Sequence, residues 1–255
     1  MTKAPLFIAL ALCLGTGPAA AETIRNGEIG FTLGLPEGAR EFPEGRQGPD
    51  MIWSYVIGPR VDEGHVLGFT VERMRGTIGR EKWTMQEFNQ QRERMKDHPI
   101  VKLIPPDAKV EIINEAWQSF EIQVLRMEFT FQGVAMVSYV AQVPLRREAI
   151  QISVASGQDN AEEGHRLLRT LLANLEGESN WTSGGGVLPS GRLTETERWS
   201  RLFTGIGKMV GVIVVVLLIA RTVSRRSRRR RATRGAVPPP PPPYNPGGPL
   251  PPVQY

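Results

Sequence analysis

The middle of this sequence predicts an α+β fold, an antiparallel sheet covered by helices, and three observations predict it. Strand-like alternation of apolar and polar residues recurs from Phe31 to Val154. The last three alternating segments follow one another across short turns, as in a meander. Two helical patterns, one between strands and one after the last, supply a covering layer.

The elements follow in chain order. Strands are expected at 31–35, 52–57, 66–71, 110–113, 120–131, 134–143 and 150–154. Gln132-Gly133 and the stretch Pro144 to Glu148 carry turn residues between the last three. Ile150, Ile152 and Val154 alternate with Gln151 and Ser153, one buried face against one wetter face. Thr84 and Glu87 form a capping box flanked by Trp83 and Phe88, so a helix is expected from Thr84 to about Lys96, before Pro99. A second begins near Asp159 or Asn160, carries Leu167, Leu168, Leu171, Leu172 and Leu175 on one stripe, and closes at Gly177.

This order, with FTLGLPEGAR at 31–40, TMQEF at 84–88 and DNAEEGHRLLRTLLANL at 159–175, resembles the PsbP-like α/β/α sandwich family over residues 22–178. The resemblance implies an exported domain that acts mainly by binding other proteins. Relatives of that fold include extrinsic thylakoid-lumen proteins of photosystem II and bacterial exported proteins. It carries over no ligand or catalytic residue.

Both ends differ from the middle. Lys3, the apolar run Leu6 to Leu14 and the small residues Ala19 to Ala21 read as a signal peptide over 1–21, cleaved between Ala21 and Glu22. The only cysteine, Cys13, is a hydrophobe of that segment, so the mature chain folds without disulfides. The extracytoplasmic domain is then 22–181. Gly184 to Gly186, Pro189 and Gly191 mark a flexible linker over 182–201.

Residues 202–220, LFTGIGKMVGVIVVVLLIA, form the expected transmembrane helix; at 1.5 Å per residue they reach about 28 Å. Lys208 is its weak point, a charge whose stem would have to carry it toward the interface. The basic segment 221–235 holds Arg221, Arg225, Arg226, Arg228, Arg229, Arg230, Arg231 and Arg234. Such a block stays cytoplasmic, which places the domain outside, and it attracts anionic lipid. Gly207 and Gly211 form a GxxxG pair through which two helices would dimerise. Residues 236–255 read as a disordered, proline-rich cytoplasmic tail in which Pro241, Pro242, Pro243 and Tyr244 match a PPxY ligand; a semi-rigid spacer explains them equally well.

The net charge of +5 conceals a division. Residues 22–200 hold all 26 acidic residues against 20 Lys plus Arg, whereas residues 201–255 hold ten basic residues and no acid. The high pI therefore belongs to the tail, and no nucleic-acid binding by the domain is expected.

Chemistry-bearing patterns are few. His65, His98 and His165 are isolated from one another, so no metal or cofactor is expected. Asp62, Glu63 and His65 read as a solvated turn, His98 as a charge partner at a helix C-terminus and His165 as a polar-face residue of the last helix. Glu162 and Glu163 sit in a first helical turn, and Arg146 and Arg147 in an exposed turn. No serine elbow, mature cysteine or phosphate loop is present. The expected protein is a non-catalytic, single-pass membrane protein, placed in the inner membrane if bacterial, whose outer domain recognises a protein or envelope component. The alternatives are an envelope enzyme or small-ligand-binding protein using a pocket between sheet and helices, and a scaffold acting through its tail.

Overall fold

A computed structural model describes residues 22–42, 50–57, 67–98, 101–104, 108–131, 133–181, 191–206 and 208. Ten strands are described: β1 Thr23–Asn26, β2 Phe31–Gly34, β3 Ala39–Glu41, β4 Met51–Ile57, β5 Leu67–Arg73, β6 Lys109–Trp117, β7 Phe120–Phe131, β8 Val134–Val143, β9 Ile150–Gly157 and β10 Leu175–Gly177. Helix α1 is Met85–Arg94, α2 is Ala161–Ala173, and α3 covers 195–206.

Seven strands build the main sheet in the order β3-β4-β5-β9-β8-β7-β6, and β1-β2-β10 form a small second sheet. Every ladder is antiparallel. The expected α+β class is what the structure has. Period-two alternation divides the main sheet into two faces. Phe69, Val71, Val124, Val137, Tyr139, Ile152 and Val154 join the leucines of α2 and the small sheet in one core, while Leu125, Met127, Met136, Val140 and Ala155 meet α1 and α3 in another. The sheet is thus covered on both sides.

Local sequence explains the ends of α1. Thr84 Oγ1 accepts from Glu87 N at 3.2 Å, and Glu87 Oε2 accepts from Thr84 N at 2.8 Å, which closes the expected capping box. The β6–β7 hairpin turns tightly from Trp117 to Phe120, with Gln118 at φ +54°. Its side chain donates to Gly177 O at 2.8 Å, holding that unusual conformation in place.

Two expectations need correction. The last helix stops at Asn174; Leu175, expected on the helical stripe, instead opens β10 and pairs with Leu33. A buried strand edge was there to complete, and Trp117 Nε1 donates to Leu175 O at 3.1 Å. The expected linker 182–201 also fails as a boundary, because residues 191–201 pack on the domain. Thr77 bridges Arg192, Leu193 N donates to Thr77 O at 2.9 Å, and a second capping box, Thr194 with Glu197, starts α3. Trp199, Leu202, Phe203 and Ile206, spaced i, i+3, i+4, i+7, are fully buried against the sheet, so the first third of the expected span is an amphipathic covering helix. Among the described residues no helix is long and apolar enough to cross a membrane; residues 209–220 lie outside them.

Candidate binding surface

At one end of the sandwich the segment after β5 runs past the start of α3 and leaves a cleft of about 480 Å³ between them. Gln123 fixes its wall by pairing with both sides of one residue's backbone: Oε1 accepts from Trp83 N at 2.5 Å and Nε2 donates to Trp83 O at 2.9 Å. The Trp83 ring is buried, 4.8 Å between centroids from Trp199 and 4.2 Å from the Arg198 guanidinium carbon. Arg198 is itself buried. Its Nε donates to Gln142 Oε1 at 3.0 Å and its Nη1 to Glu81 O at 3.2 Å, while burial pushes its pKa down to about 10, leaving it charged at neutral pH.

Paired charges rim the cleft. Glu81 bonds Arg192, which holds its carboxyl below the usual range, and Lys82 bonds Glu121 of β7. Trp83 Nε1 is buried without a protein hydrogen-bond partner. The cleft is lined by Lys82, Arg192 and Arg198 together with Glu81, Glu87 and Glu195, a wall of mixed charge beside the buried Trp83 ring.

On the other side of the same segment an aromatic patch is half-exposed. Phe120 and Trp181 meet edge to face at 5.6 Å, and Arg80 lies 5.9 Å from both rings while donating to Trp181 O. Ile78 O accepts from Trp181 Nε1 at 3.0 Å and from Asn180 Nδ2 at 2.9 Å, fixing the patch to the segment that walls the cleft. Aromatic and arginine side chains held rigidly at a surface are what anchor residues of protein interfaces consist of.

The residues singled out from the sequence fall elsewhere. Glu22 is described, its carbonyl accepting from Leu35 N at 2.7 Å. Ala21, the arginines from Arg221 to Arg234, Pro241 to Tyr244, Gly207, Gly211, Asp62, Glu63 and His65 lie outside the described residues. Glu162 and Glu163 occupy the first turn of α2. Arg146 bonds Glu178, and Arg147 Nη1 donates to Gly27 O and Glu28 O, each at 2.9 Å; both tie the turn to the small sheet.

His165 requires a correction. It is no free polar-face residue: its Nε2 lies 2.5 Å from Glu115 Oε1 and its ring stacks on Tyr139 at 5.1 Å. Arg169 completes the group, Nε donating to both oxygens of Glu115 at 3.1 and 2.9 Å. Burial alone would raise the Glu115 pKa, but hydrogen bonds from Arg169 and His165 outweigh it and hold the carboxyl low. This trio clamps α2 to β6. Among the described residues no three His, Cys, Asp or Glu side chains gather as a metal site.

The chain is a two-sided α+β sandwich with a cleft and a half-exposed aromatic patch at one end. No family model and no curated protein matches this sequence. Among solved structures the chain is similar to cyanobacterial PsbP (CyanoP) of Synechocystis, at 14% identity and TM-score 0.40 over 66% of this chain and 98% of that one. It is also similar to LpqN, involved in cell envelope biogenesis of Mycobacterium tuberculosis, at 11% identity and TM-score 0.37 over 61% and 89%. A Bacteroides thetaiotaomicron protein matches at 12% identity and TM-score 0.34 over 62% of this chain and 47% of its own. Each of these is a likeness of fold alone.

Proposed function

We propose that this is a membrane-anchored, non-catalytic binding protein whose outer domain recognises a protein or cell-envelope component. The observation that carries the reading is the Arg80–Phe120–Trp181 patch, a rigid aromatic and cationic surface at the end of the sandwich. The apolar run ending at Ala220 and the arginines behind it supply the anchor and place the tail in the cytoplasm, against anionic lipid. In a bacterial cell this is a single-pass inner-membrane protein with an outward-facing domain.

Crosslinked pull-down of the full chain from its membrane, compared with an Arg80→Glu variant, tests the binding reading. A partner recovered with the wild type and lost with the variant supports it; recovery indifferent to Arg80 sinks it. A reporter fused after Gly235 should be active only in the cytoplasm, and activity outside would overturn the orientation.

The cleft beside the patch favours a second reading, capture of a small molecule between Lys82, Trp83, Arg192 and Arg198. A small molecule in place of a protein partner in the same pull-down would decide for it.

A further inference from the structure

The sheet face beneath α3 is polar where a permanent core would be apolar. Strand register places Gln142, Gln151 and Glu72 side by side across β8, β9 and β5, and next to them Ser153, Thr70 and Ser54 across β9, β5 and β4. All six are buried. Ser54 Oγ, Thr70 Oγ1 and one oxygen of Glu72 have no protein partner. Each such atom costs about 1–3 kcal/mol to keep from water, so the covering helix is held weakly for the area it buries.

What holds it is specific. Arg198 donates to Gln142, and Lys208 Nζ donates to Glu72 Oε2 at 3.2 Å. Between them Gly205 presses on Gln151 so closely that a Cβ there would lie 1.6 Å from Gln151 Nε2. The helix therefore crosses the polar row along its whole length, with Trp199, Leu202, Phe203 and Ile206 filling the apolar flank beside Trp83 and Phe88.

The same residues are needed elsewhere. If 202–208 stay on the sheet, the apolar run that remains is 209–220, twelve residues or about 18 Å, against a hydrocarbon core of about 30 Å. Only with 202–208 released does the run approach spanning length.

We infer that the face formed by Gln142, Gln151, Glu72 and the apolar flank at Trp83 and Phe88 is a helix-docking groove, occupied by this chain's own residues 195–208 only when the membrane does not claim them. Its occupant is defined by chemistry: an amphipathic helix with an aromatic and aliphatic stripe at i, i+3, i+4, i+7 and a cation facing Glu72. Embedding the chain opens the groove; docking shortens the span. The inference rests on the membrane-anchor reading above.

The test uses the full chain in lipid nanodiscs carrying Gln151→Cys and Gly205→Cys, with and without about eight leucines inserted after Ala220 to complete a span without 202–208. Crosslinking between the two positions should rise about fivefold with the insertion, because the bilayer no longer competes for the segment. Equal yields in both chains, whether high or low, overturn the competition. A fluorescent peptide of residues 194–208 gives a second measurement on chains without cysteine substitutions: it should bind the embedded wild type and lose binding when the leucines are inserted. Failure to bind the wild type overturns the groove. Carbonate extraction separates the two levels, since a chain released from the bilayer refutes the anchor itself, whereas a retained chain with unchanged crosslinking refutes only the competition.

Discussion

Arg198 and Trp83 face one another at 4.2 Å, both buried, and the same guanidinium reaches Gln142 on the central sheet. One side chain of α3 thus joins the wall of the cleft to the polar row. Arg198→Ala removes the cation–π contact and leaves Gln142 Oε1 and Glu81 O without this donor, so the full chain in detergent should lose about 2–4 kcal/mol. Arg198→Lys keeps the charge but not the planar fork and should restore less than half of that. Denaturant titration followed by tryptophan fluorescence reads both, and wild-type stability in Arg198→Ala would show that the helix is not held here.

The alternation of β7, β8 and β9 and the capping box of α1 were legible because each is a local pattern with a physical cause. α3 had its own local signals, Thr194 with Glu197 and the stripe at Trp199, Leu202, Phe203 and Ile206. They were obscured by the glycines before them and the longer apolar run after them, which pull the reading toward a linker and a span. Gln151 and Ser153 do share one face, but it is not the wetter face expected of them, since both are buried; period two says only which residues share a face, never what covers it. The Glu115–His165–Arg169 group joins residues fifty positions apart, and His165 and Arg169 at helical spacing read equally well as a solvated face.

Two glycines should respond differently to a methyl group. At Gly68 of β5 a Cβ would come within 2.8 Å of Tyr55 O, a backbone atom of the paired strand that cannot move alone, whereas at Gly205 it would meet the movable end of Gln151. Gly68→Ala should therefore cost about 2 kcal/mol or more and Gly205→Ala well under half of that. Melting curves of the two variants side by side check the order; a reversed order would contradict the packing described.

Glu115 predicts an acid-side dependence. Its carboxyl is held below the ordinary value of 4.5 in the folded chain, so its contribution to stability is full above 4.5 and is lost as pH falls through the lowered folded pKa. Glu115→Gln should destabilise by about 1–3 kcal/mol at neutral pH, with α2 less firmly held to β6. The difference from wild type should narrow as pH falls below 4.5 and close at the lowered folded value, where Glu115 itself takes up its proton. A gap that stayed constant through that range would assign the loss to packing alone.

Glu72 has the opposite sign. Burial raises its pKa, and Lys208 only partly offsets that, so folded Glu72 binds its proton more tightly than the unfolded chain does. Its contribution is fully favourable below 4.5 and is lost as pH rises through the raised folded value. Lys208→Met leaves a buried carboxylate unanswered and should cost about 3 kcal/mol above that value, with the deficit closing as acid neutralises Glu72. Glu72→Gln combined with Lys208→Met removes both charges from the groove, so the pair should be as stable as wild type or more so, with its pH slope in this range flattened. A four-member cycle of full-length chains in detergent, unfolded across about pH 4 to 8, measures every term. A double variant as unstable as Lys208→Met at the upper end of that range would mean that α3 depends on something other than this pair, and that the polar row is not what makes its docking reversible.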